Sequence, residues 1–182
     1  MAPINPAQAK VSKSGFTLFE LLVVVVIVAL LATMLLSRVM FYLEQAEKVA
    51  MEQTMGNLRS ALHLQAAALV ARDKVHDIPR LVGQNPMNWL AEKPSNYAGE
   101  YFSPQPGDVV FGNWYFDLKD RNLVYLVHNG TNLHVGAGSQ KQLRFRVELV
   151  TSIKSAQGPD KRADSDSVEG VVLKSVVPYT WF

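Results

Sequence analysis

The chain contains no cysteine, which excludes structural disulfides, cysteine-ligated zinc and thiol catalysis. Neither sign of charge is in large surplus, with 18 basic against 16 acidic side chains. Lys10 and Lys13 are the charges of the first fifteen residues, and no acid accompanies them; beyond Gly15 the two signs balance. No basic bias is left to favour nucleic acid as a partner. His63, His76, His128 and His134 form no zinc pattern such as H-E-x-x-H. No phosphate-binding glycine loop and no G-x-S-x-G elbow occurs. From Leu21 to Leu36 charge, glycine and proline are all absent. That last absence decides the class of protein.

Twelve of the residues from Leu21 to Leu36 are Leu, Ile or Val, and adding Phe16 to Glu20 makes a segment of 21 residues. As a helix rising about 1.5 Å per residue it spans roughly 30 Å, the thickness of a bilayer's hydrocarbon. At about −0.3 to −0.6 kcal/mol each, the twelve supply roughly −4 to −7 kcal/mol for insertion. A carboxylate costs at most about +3 kcal/mol at the centre and less near an end, so Glu20 does not prevent insertion. The basic leader keeps the N-terminal end cytoplasmic and sends the rest of the chain to the periplasm or exterior. A removable secretory signal has a shorter apolar core and a small-x-small cleavage site after it. Here the run is longer and ends Met-Leu-Leu-Ser-Arg, which disfavours that reading.

The stretch Gly15-Phe16-Thr17-Leu18-Phe19-Glu20, behind a short basic leader and ahead of the apolar run, resembles the prepilin motif. That motif is shared by type IV pilins and the pseudopilins of type II secretion systems. The resemblance is firm over about residues 13 to 38. It implies that a membrane-embedded prepilin peptidase cuts after Gly15 and methylates the new amino group of Phe16. Thr17 and Glu20 would serve assembly. The chemistry is compatible: Gly15 lets an extended backbone lie close against a protease. A carboxylate in lipid asks for a named partner. For Glu20 the partner would be the Phe16 ammonium, its own or that of the next subunit, where a mispaired charge would be penalised. The alternative is that Glu20 merely snorkels to the headgroups.

Beyond Ser37 no proline appears until Pro79, and the pattern becomes periodic. Leu43, Ala46, Ala50, Met51, Met55, Leu58, Leu62 and Leu69 form an apolar stripe, with Gln65 or Ala66 filling its gap. Glu44, Glu47, Lys48, Glu52 and Arg59 fall mostly off it, and Glu44 to Lys48 would be a favourable pair along the helix. One helix from Phe16 to about Arg72 would be roughly 85 Å long, with Gly56 a place to bend. Major pilins and pseudopilins commonly carry a glycine in the span and a proline at its end, positions that fall here near Ala29 and Ser37. Their absence points to a minor subunit, at the tip or initiating.

Asn85-Pro86-Met87-Asn88-Trp89-Leu90 reads as an N-cap, a proline at the first helical position and a short helix. "PSNYAGEYFSPQPGD" reads as loop. Period-two alternation then marks strands at Trp114–Leu118, Leu123–His128, Asn132–Val135, Leu143–Leu149 and Val171–Val177. Asn129-Gly130 signals a type I′ hairpin turn, with His128 and His134 as exposed strand residues flanking it. Asn129-Gly130-Thr131 also matches a glycosylation triplet, which the turn already explains. The expected fold is α+β: a long helix, transmembrane and then amphipathic, packed on an antiparallel sheet of about four or five strands. The expected parts are a leader at 1–15, the span at 16–38, an amphipathic half-helix at 39–75, a connection at 76–108 and the sheet at 109–182.

No cofactor is expected. Some pseudopilins bind calcium near the C-terminus, but Asp160, Asp164, Asp166 and Glu169 have Lys161 and Arg162 among them and read as a solvated loop. The resemblance implies a structural subunit without catalysis, held in the inner membrane by one span with a periplasmic C-terminal part, then in a pilus or pseudopilus. Its partners would be other pilin or pseudopilin subunits, the prepilin peptidase, the inner-membrane assembly platform and lipid. The alternative is a single-pass anchored periplasmic binding module or enzyme.

Overall fold

The structure is a computed structural model and describes residues 15–136, 141–152 and 167–182, without the side chains of 151–152 and 167–169. Contacts divide the chain into two compact units, the first ending at Phe41 and the second running Tyr42–Phe182. A single helix, α1 (Leu18–Ala71), contributes to both. It passes through Gly56 without interruption. Its end is a Schellman motif. Asp73 adopts a left-handed φ of 57°, its N–H donates to the Val70 carbonyl at 3.0 Å, and the Lys74 N–H donates to the Leu69 carbonyl at 2.9 Å.

Seven strands follow: β1 (Tyr97–Tyr101), β2 (Trp114–Asp117), β3 (Asn122–Leu126), β4 (Leu133–Val135), β5 (Gln142–Ser152), β6 (Ser167–Ser175) and β7 (Tyr179–Trp181). Five of them form a sheet in the order β1-β2-β3-β5-β6, and β4 and β7 pair separately. The sheet is antiparallel except for β1 on β2, which run parallel. A parallel neighbour needs a crossover of about a dozen residues or more, and residues 102–113 supply it. Thus part of the stretch expected to be loop is a strand. The β2–β3 turn is closed by the side chain at its start. The Asp117 side chain accepts from Lys119 N–H at 2.9 Å, and Arg121 takes a φ of 54°.

Alternate residues of β2, β3 and β5 face α1 and close the core: Trp114, Phe116, Leu123, Tyr125, Leu143, Phe145 and Val147. The Trp114 ring lies 4.7 Å from that of Tyr125 and 5.9 Å from that of Phe145. Met51, Met55, Leu58 and Leu62 meet them from the helix. The short helix after Asn85 forms as a 3-10 turn, Pro86–Trp89, with the Asn85 Oδ1 accepting from Met87 N–H at 3.0 Å. Another 3-10 helix, Val75–Leu81, buries Ile78 and Leu81.

Two expectations fail here. Asn129-Gly130 makes no type I′ turn: neither residue has a positive φ, β3 pairs with β5, and β4 pairs with β7. His128 and His134, both exposed, therefore do not face each other across a hairpin. Gly130 is required for another reason, since a Cβ there would lie 2.9 Å from Val127 Cγ1. The helix stripe also begins differently. Leu43, Ala46 and Ala50 are exposed, whereas Glu44, Glu47 and Lys48 turn towards the sheet unit.

Those inward charges are fully engaged. Glu44 is only 2% exposed and accepts from the Asn132 N–H at 2.7 Å, Asn132 Nδ2 at 2.9 Å and the Trp181 indole at 3.0 Å. Glu47 accepts from the Tyr125 hydroxyl and from the N–H groups of His128 and Asn129, at 3.0, 2.7 and 2.6 Å. Lys48 donates to the Trp181 carbonyl at 2.7 Å and lies 3.9 Å from Glu52, so its acidic neighbour is Glu52 and not Glu44. Buried carboxylates persist when donors surround them, and the 128–132 segment supplies its backbone for that purpose.

Candidate processing and assembly site

Gly15, Phe16 and Thr17 lie outside any regular element, and α1 begins at Leu18. The Thr17 Oγ1 accepts from the Glu20 N–H at 3.2 Å, the N-cap interaction that satisfies one of the helix's free donors. Thr17-Leu18-Phe19-Glu20 has the residue types of a capping box, a helix-start signal carried by the sequence itself. Glu20 stands in the first turn, where the helix dipole favours a negative charge. All four predicted residues thus come together at one helix start, with Gly15, Phe16, Thr17 and Glu20 exposed and Phe16 retaining 68% of its surface.

Among the described residues none packs around the segment that follows. Its most apolar 18-residue window has a mean hydropathy of 2.9, with none of it buried. Polar side chains within it consume their own capacity. The Thr33 hydroxyl donates to the Ala29 carbonyl at 2.9 Å and the Ser37 hydroxyl to the Thr33 carbonyl at 3.2 Å. Glu20 is then the only ionisable side chain between Leu18 and Ser37.

The other sites considered from sequence gain no geometry. Asp160, Asp164 and Asp166 lie outside the described residues, as does the side chain of Glu169. Among the described residues no group of His, Asp and Glu is arranged to hold a metal. His76 lies 3.7 Å from Asp77, which pairs with Arg80 at 3.1 Å, an arrangement local to one 3-10 helix. Asn129 of the glycosylation triplet is half-buried, its N–H held by Glu47. Glu44 and Glu47 were missed because acids were assigned to the solvent side. Their spacing onto Met51 and Met55 was the available signal.

Residues 10–36 match the family model described as the prokaryotic N-terminal methylation motif. The match is consistent with a member of the type IV prepilin and pseudopilin family and supports a role of that type. The motif and one N-terminal apolar helix fit a single-pass, membrane-anchored protein. No curated protein and no solved structure matches the chain.

Proposed function

We propose that this chain is a structural subunit, a minor pilin or pseudopilin. It is cleaved after Gly15, methylated on Phe16 and assembled into a type IV pilus or type II secretion pseudopilus. The observation that carries the reading is the helix start: an exposed, non-helical Gly15–Phe16 bond, then a capped helix in which Glu20, the one acid between Leu18 and Ser37, stands at the head of an unburied apolar surface. Among the described residues nothing demands glycine at position 15. A Cβ there would meet no atom within 4 Å, and its φ is not left-handed. The demand then comes from outside, as a protease groove that approaches the backbone closely would impose.

After cleavage the Phe16 ammonium and the Glu20 carboxylate are opposite charges about one helical turn apart at the head of the span. Pairing them, within a subunit or between neighbours, relieves the cost of both. Between neighbours it would fix axial register, because a subunit displaced along its partner leaves both charges unmatched. Partners in this reading are other subunits, the prepilin peptidase and the inner-membrane assembly platform, with the sheet unit in the periplasm before assembly. No catalytic step is assigned to the chain. Mass spectrometry of the N-terminus, in cells with and without an active prepilin peptidase, tests the proposal. N-methyl-Phe16 dependent on the peptidase is expected. A chain that retains residues 1–15 beside an active peptidase overturns it and leaves the anchored module as the reading.

A further inference from the structure

A cleft of about 430 Å³ opens on the sheet face turned away from α1, within the range of small-ligand sites. Its floor consists of the outward residues of β2, β3 and β5, and its wall is the crossover between β1 and β2. Six residues define its chemistry: Phe111 on the wall, Tyr115 on the floor, and Asp117, Asp120, Gln142 and Arg144 around them.

The wall is held in place. Gly112 N–H donates to the Leu126 carbonyl at 2.6 Å, and Leu126 N–H donates to that of Asn113 at 3.1 Å. At the other end Leu118 N–H donates to the Tyr101 carbonyl at 2.8 Å. Asp108 closes the tip by accepting from Gln105 N–H at 2.7 Å. Val109 packs beneath on Tyr115 and Val124, and Tyr101 meets Tyr115 edge to face at 6.1 Å. A cleft already formed in this way carries a small ordering cost on binding. Burial raises the Tyr115 hydroxyl's pKa, with Arg144 opposing and Asp117 and Asp120 adding, so all three charges act on the floor.

The crossover is more apolar than a solvated loop requires, and of its exposed apolar residues Phe111 lines the cleft. Phe102, Val110 and Phe111, all on the crossover, remain largely exposed, Phe111 at 57%. Single exposed apolar residues are ordinary, but three on one braced loop beside a cleft suggest contact with something. The charges of the cleft cancel, Asp117 and Asp120 against Lys141 and Arg144, with Asp120 and Arg144 3.7 Å apart. An ionic ligand would gain little from such a balance. Carboxylate, carboxamide and guanidinium together offer paired acceptors and paired donors, the complement of neighbouring hydroxyls that both donate and accept. An aromatic face beside them suits a ring with one apolar side. An extended peptide, by contrast, would look for unpaired backbone at a sheet edge. On this floor β2 is paired on both sides, and so is β3.

We propose that this cleft binds an uncharged oligosaccharide, its sugar ring against Phe111 and its hydroxyls on Asp117, Gln142 and Arg144. The test uses the full chain in a zwitterionic, sugar-free detergent, with tetra-N-acetylchitotetraose and maltotetraose as probes and saturation-transfer NMR and calorimetry as readouts. Binding of at least one probe is expected. Phe111→Ala and Gln142→Ala should each weaken it about tenfold or more with the thermal midpoint unchanged. Absence of binding of both probes at about 10 mM overturns the proposal, as does an affinity in both variants equal to that of the parent chain. Tighter binding of tetra-alanine in competition also overturns it. The assay requires neither cleavage nor assembly, so its result is separate from that of the filament reading.

Discussion

Replacing Glu44 by alanine would leave three donors without an acceptor: the Asn132 N–H, the Asn132 side-chain amide and the Trp181 indole. The indole is stranded in buried surroundings beside a Glu44 that is itself 2% exposed, while the part-buried Asn132 donors keep some access to water. A loss of about 2–4 kcal/mol is expected for Glu44→Ala. Glu44→Gln keeps the shape and one acceptor oxygen but turns an N–H towards donors, so its loss should be smaller, about 1–2 kcal/mol. Denaturant titration followed by tryptophan fluorescence ranks the two. Equal stability of Glu44→Ala and the parent would mean that this carboxylate is not holding β7 and the 128–132 segment to the helix. Nothing in the residue types of positions 44 to 48 announced this, because an acid reads as solvated until its donors, more than eighty residues away, are placed.

At the scale of elements, local rules read well where the chain makes its own partners. The apolar run of α1, the Asn85 cap, the Asp117 turn and the alternation of β2, β3 and β5 all rest on contacts within a few residues or on strict periodicity. They fail where a distant partner decides. β7 is three residues long after Pro178, and although the alternation predicts β4 as a strand, it does not predict its pairing with β7. β1 carries Gly99 at a φ of 114° amid loop residues, and it is a strand because the crossover returns it to β2. Asn129-Gly130 is a turn signal overridden by packing, which gives a test. Gly130→Ala must displace Val127 or Leu133 and should cost about 1–3 kcal/mol, although neither flanking φ is left-handed. A merely conformational role in a turn would instead place the cost in φ. The helix end gives a test of the opposite sign. Asp73 holds a left-handed φ of 57° at the Schellman position, so Asp73→Gly should stabilise by about 0.4–1 kcal/mol, read as a rise in the denaturation midpoint.

At the scale of the molecule the two units meet different solvents, and their predictions separate accordingly. The sheet unit has its own core, and four of its tyrosines, Tyr97, Tyr115, Tyr125 and Tyr179, have pKa values raised chiefly by burial. Tyr125 is raised most, with Glu47 adding to the burial. The folded unit thus holds these protons more tightly than the unfolded chain does. The contribution of these tyrosines to stability should be fully present below about pH 10 and be lost as pH rises above that value. Tyr125→Phe should reduce that alkaline slope, measured by denaturation at successive pH values; a slope unchanged in the variant would remove Tyr125 as its main source. The described residues of the first unit are all exposed, so its prediction concerns partners. Removing the carboxylate in Glu20→Ala makes the segment more apolar, by at most about 3 kcal/mol, so insertion should not suffer. Cleavage should also persist, because Gly15 and the Thr17 cap are untouched. Loss of cross-linking to neighbouring subunits, with insertion and cleavage intact, is the expected result. A variant that still assembles would show that the acid is carried by the span without serving the filament.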